Sequence, residues 1–101
     1  MSNLVSIRRV TVVADVTLKE MLLKQFFKLG AHGYTAMSCH GQGRHELIAD
    51  PYSGEALVRL ELLVQPDVAD SIMGYLERAV SDKYAVTACS ETVDVLSNAK
   101  F

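Results

Sequence analysis

The stretch LVRLELLV, from Leu57 to Val64, is written for a strand with two unlike faces, and that pattern constrains everything around it. Successive strand side chains point to opposite sides, so Val58, Leu60, Leu62 and Val64 share one face while Leu57, Arg59, Glu61 and Leu63 share the other. The first face demands a cover. A chain of 101 residues, 50% of them hydrophobic, makes one packed domain over residues 1–101 and has too few elements to cover both sides of a sheet. The second face is not written as a solvated surface. Neighbouring strands would add Val, Met, Cys or Ala to it, depending on register. Such a face left bare is a large apolar patch in water, so the pattern predicts a closed, symmetric oligomer.

The remaining elements fall into place around this strand. Val5 to Ala14, rich in Val and Ile with Thr, predicts a first strand. Thr17 stands three residues before Glu20, the spacing of a capping box, and Leu18, Leu22, Phe26 and Leu29 recur at helical intervals until Gly30 supplies a stop. Tyr34 to His40 reads as a second strand. The polar segment 42–56, with Asp50-Pro51 and Ser53-Gly54, reads as a mobile loop. Asp67, just after Pro66, is the expected N-cap of a second helix whose buried stripe is Val68, Ile72, Leu76 and Ala79, and a last strand runs from about Ala85 to Val95. The order β-α-β-β-α-β is the split βαβ pattern of an α+β, ferredoxin-like sandwich.

Charge and composition exclude several functions. Ten Lys and Arg against twelve Asp and Glu leave a net charge of −2, with no basic field to hold a phosphate backbone, so nucleic acid is not an expected partner. The arginines of MSNLVSIRRV follow the first apolar residues and no long apolar run succeeds them, so the chain is expected in the cytoplasm without membrane insertion. In that compartment Cys39 and Cys89, which lack CxxC spacing, are expected as buried thiols. His32, His40 and His45 with Cys39 follow no recognised ligand spacing, and neighbouring Cys39 and His40 point to opposite faces; no metal site is expected. Neither a nucleophile beside a base nor a pocketed carboxylate pair can be picked out by spacing, so the chain is not expected to be an enzyme. Arg8 and Arg9 are assigned to a sheet edge or interface, and Arg59 to an ion pair with Glu61 of a neighbouring copy.

The most informative stretch runs from Gly33 to Arg44, a strand leaving through Gly41-Gln42-Gly43-Arg44 into the long loop. Glycines allow backbone amides to approach an anion, and a guanidinium adds a forked, charged partner, so the corner suits a phosphate. Gly33-x-Thr35, this Gly-x-Gly-Arg exit, the loop, and Glu61 in the third strand together resemble the PII signal-transduction family. The likeness extends over nearly the whole chain, including Val10-Thr11-Val12 and Leu29-Gly30. It implies a ferredoxin-like homotrimer that holds adenine nucleotides in its intersubunit clefts and signals through a ligand-sensitive T-loop, here about 42–56. By that resemblance Thr35 lies near the adenine, Gly41, Gly43 and Arg44 near the phosphates, and Lys83 closes the phosphate site; Met37, Gln42 and Tyr84 complete the implied nucleotide-binding set.

Departures from the family pattern narrow the reading. Nitrogen-sensing members carry a glycine-rich B-loop before the last strand, where this chain has Ser81-Asp82-Lys83-Tyr84-Ala85, and their T-loop is longer, so that Tyr52 has no counterpart to their modified tyrosine. The compact loops resemble the PII-like proteins of inorganic-carbon metabolism, which respond to AMP, ADP or cyclic AMP and whose carboxysome-associated branch binds bicarbonate. The C-terminal cysteine pair of some relatives is absent. The implied ligands are therefore ADP or AMP, with ATP or cAMP as variants, and bicarbonate at Gln42, Arg44 and Arg59. No covalent cofactor is implied, and the implied partner is a bicarbonate transporter or a carboxysomal component. Alternative readings are a nitrogen-type PII regulator of ATP and ADP, or a small trimeric metal-tolerance protein of ferredoxin fold.

Overall fold

The computed structural model describes residues 3–41, 56–98 and 101. Four strands, β1 (Leu4–Asp15), β2 (Thr35–Cys39), β3 (Leu57–Val64) and β4 (Thr87–Leu96), and two helices, α1 (Lys19–Lys28) and α2 (Pro66–Tyr75), follow in the order β1-α1-β2-β3-α2-β4. The strands form one sheet ordered β2-β3-β1-β4, with every neighbouring pair antiparallel. This is the expected α+β ferredoxin-like fold, with β2 and β4 on opposite edges.

Both helices lie on one side of the sheet, against the face built by Val10, Val12 and Ala14 of β1 and Val58, Leu60, Leu62 and Val64 of β3. Leu22 and Phe26 of α1 and Ala69 and Ile72 of α2 complete that core, and Phe26 meets Tyr75 edge to face with centroids 6.4 Å apart. The predicted division of β3 is thus the observed one.

The helix ends differ from expectation in instructive ways. The expected capping box of Thr17 and Glu20 does not form. Asp15 caps instead: its Oδ1 accepts from the Thr17 amide at 2.8 Å and from the Thr17 hydroxyl at 2.6 Å, at the head of a 3₁₀ turn (Val16–Leu18) that leads into α1. Gly30, at φ 118°, ends α1 as a Schellman turn, with the Ala31 amide donating to the Phe26 carbonyl and the Gly30 amide to that of Phe27. The N-cap of α2 is Gln65 rather than Asp67, because Pro66 occupies the first helical position, where its missing N–H costs nothing; Asp67 sits in the first turn, favourable to the helix dipole. After Tyr75 the helix widens into a π-helical turn, Leu76–Val80. That added residue moves the buried position one place on, so Val80 enters the core and Ala79 stays exposed.

The helix-free face carries Thr35, Met37 and Cys39 of β2, Leu57, Arg59, Glu61 and Leu63 of β3, Arg9, Thr11 and Val13 of β1, and Cys89 and Glu91 of β4, as the strand registers dictate. The expected Val, Met and Cys are present, whereas Ala36 and Ala88 turn toward the core. Cys89 is exposed and Cys39 half-buried, contrary to the expectation of two buried thiols; register puts both on the uncovered side.

Candidate nucleotide site

Thr35 opens β2 directly opposite Glu61 of β3, which in turn lies opposite Thr11 of β1. Beside this row the sheet and the α1–β2 connection enclose a cleft of about 330 Å³ lined by Arg9, His32, Gly33, Tyr34, Thr35, Glu61, Leu63 and Phe101. Its two charged groups each have a partner, one close and one distant. Arg9 Nη2 lies 2.7 Å from Glu91 Oε1, and this hydrogen bond, then the charge of Glu91, holds the guanidinium above its ordinary pKa. Glu61 Oε1 lies 3.4 Å from Arg59 Nη2 of its own strand, a long contact that leaves its acceptor capacity largely free. The pair expected between copies therefore already exists within one chain. Tyr34 is anchored from behind by Phe27, with centroids 6.1 Å apart, and by Lys19, whose Nζ stands 5.9 Å from the ring centroid.

Met37 follows Thr35 on the same side of β2, opposite Arg59, and is exposed. Gly41 lies just beyond the strand, and a Cβ there meets nothing within 4 Å among the described residues. Gln42, Gly43 and Arg44, with nearly all of the expected 42–56 loop, lie outside the described residues.

Lys83 and Tyr84 belong to a second hollow, of about 430 Å³, lined by residues 81–86 between the π-helical turn and β4. The amides of Lys83 and Tyr84 both donate to the Val80 carbonyl at 3.0 Å, so this turn can offer side chains to an anion but not those two amides. The turn precedes β4 at one edge of the sheet, while Thr35, Met37 and Gly41 follow the other edge; three interstrand spacings, roughly 14 Å, separate the edges. Thr35 and Lys83 therefore do not converge within one chain.

The sequence places Arg9 at a sheet edge or interface and does not mark His32, Tyr34, Leu63 or Phe101 for this site. The registers Arg9↔Leu63 and Thr35↔Glu61 bring these groups together, and no local pattern encodes a register across three strands. Comparison with known proteins bears on what the cleft serves. The sequence profile of the nitrogen regulatory protein P-II family matches residues 7–99. The chain belongs to that family.

Solved P-II-like structures share the fold. A PII-like signaling protein from Thermus thermophilus is 34% identical, with a TM-score of 0.79 over 94% of both chains. CPII from Thiomonas intermedia, bound to ADP, AMP and acetate, is 15% identical, with a TM-score of 0.80 over 93% of this chain and 92% of its own. The same protein bound to ADP and bicarbonate gives 15% and 0.80 over 92% of this chain and 91% of its own. No curated protein matches the chain. Among the described residues no group of three or more His, Cys, Asp or Glu side chains could hold a metal ion, and no helix is long and apolar enough to cross a membrane.

Proposed function

We propose that this P-II chain is a non-enzymatic regulator that binds an adenine nucleotide, ADP or AMP, in clefts completed between the subunits of a homotrimer. One observation carries the reading: the Thr35–Glu61 row opens onto a cleft on the very strand that leads to Gly41, while Lys83 and Tyr84 stand at the opposite edge. A base seated at Thr35 can give its exocyclic amine to the Glu61 carboxylate, which favours adenine over guanine, whose carbonyl at that place would face a negative charge. The phosphates then run along β2 toward Gly41 and the Gln42-Gly43-Arg44 corner. Lys83 and Tyr84 close the site from a second copy, which a closed ring of subunits supplies. Ligand at that corner biases the following loop, and the loop carries the signal to a partner.

The ADP, AMP and bicarbonate ligands of CPII support nucleotide chemistry in this fold and favour the inorganic-carbon branch over a nitrogen-type sensor. On this reading bicarbonate binds this chain at Gln42, Arg44 and Arg59, and the regulated partner is a bicarbonate transporter or a carboxysomal component. Calorimetry with AMP, ADP, ATP and cAMP, paired with a native mass measurement, tests the reading. Binding of at least one nucleotide to a trimer is expected, and a monomer that ignores all four would sink it. Arg44→Ala should weaken anionic ligands without dissociating the trimer.

A further inference from the structure

We infer that Phe101 is a wall of the Thr35 cleft and stacks on the flat ring of the bound base. The inference rests on the nucleotide reading above and deepens it. Among the described residues no helix covers this side of the sheet, yet Thr11 is only 8% exposed there, and Ile7, two residues before Arg9 and on the same side, only 2%. The Ser97 amide donates to the Asn3 carbonyl at 2.6 Å, which carries the β1–β4 pairing one step past the strand ends. Phe101 lines the cleft together with Arg9 of β1 and Leu63 of β3, inward of the β4 edge and beside the strand that carries Glu61.

The make-up of the cleft suits a planar heterocycle. Its volume falls in the range that small ligands fill, and its lining combines aromatic and apolar side chains with polar ones. Its two aromatic side chains are not equivalent. Tyr34 is already engaged by Phe27 and Lys19, whereas among the described residues Phe101 pairs with no other ring. An aromatic side chain without a ring partner, half-buried against a cleft that presents a carboxylate and a hydroxyl, offers the face that a base needs.

Calorimetric titration of ADP into the full chain and its Phe101→Ala and Phe101→Tyr variants tests this. Loss of one base-stacking contact should weaken ADP about tenfold in Phe101→Ala, while Phe101→Tyr keeps near-native affinity. Unchanged affinity in Phe101→Ala overturns the inference, and so does an equal loss in both variants. Tighter binding in Phe101→Ala also overturns it, since the ring would then compete with the base. If the unaltered chain binds none of AMP, ADP, ATP and cAMP, the nucleotide reading falls and the stacking role with it; if it binds another of the four but not ADP, the same comparison is made with that nucleotide, and the other results leave that reading standing.

Discussion

Glu61 and Asp15 are both carboxylates near the helix-free side of the sheet, yet their partners give them different work. Glu61 has only a long contact to Arg59, so little folding free energy depends on it, and its oxygens remain available to a ligand. Glu61→Ala should therefore leave the melting temperature nearly unchanged and weaken ADP about tenfold, because a hydrogen bond to a charged acceptor is lost. Titration of ADP and GDP into both proteins checks it, with discrimination between the two nucleotides shrinking in the variant. Asp15 spends its oxygen on the Thr17 amide and hydroxyl, and the hydroxyl bond first, then the amide bond, lowers its pKa below the ordinary carboxylate range. A carboxyl depressed on folding stabilises the native state above its unfolded pKa and loses that contribution as pH falls through the lower folded value. Asp15→Ala should cost about 1 kcal/mol at pH 7, and the gap should close below about pH 4. Urea melts of both proteins across that range would show it, and a gap that persists at low pH would remove Asp15 as an ionised cap.

At the scale of elements, the α1 terminus is where one residue decides the path of the chain. Gly30 holds φ 118°, and a Cβ there would come within 3.0 Å of Val68 in α2. Gly30→Ala should cost about 1–3 kcal/mol from backbone strain and crowding, several degrees in melting temperature for a domain of this size. A variant that melts with the parent would show that the Schellman turn can relax. This stop was legible because glycine after a helical stripe has one common meaning, and β3 was legible to both its ends because its alternation is strict. Other features were not. Asp15 ends a strand, so its role as a cap appears only once the following turn is known to be 3₁₀. Ala79 falls on the buried stripe of a constant 3.6-residue period, and the π-helical turn breaks that period in favour of Val80. At the cleft, Thr35 is suggested by the family resemblance of Gly33-x-Thr35, but its companions Arg9 and Leu63 meet it only through sheet register, and nothing local encodes that Phe101 lines the same cleft.

For the molecule as a whole, the sheet poses the question that the strand pattern of β3 first raised: what covers the second face. Val13 lies on it between Arg59 of β3 and Thr87 of β4, half-buried in a single chain with no described helix above it. Met37, opposite Arg59 on the next strand out, is left exposed, and so are Cys89 and Val5. If copies close over this face, a carboxylate at Val13 must be buried unpaired at the seam, a cost that association has to bear and the isolated fold does not. Val13→Asp should then convert a native mass of three chains into one, with the far-ultraviolet circular dichroism retained, because the core on the opposite face is untouched. The same variant should lose ADP affinity, since Lys83 and Tyr84 no longer reach the cleft of a neighbour. Should Val13→Asp stay trimeric, the subunits must meet through some other surface. Should it become monomeric and still bind ADP as the parent does, one chain would hold the nucleotide by itself, and the distance between the two sheet edges would not matter to it.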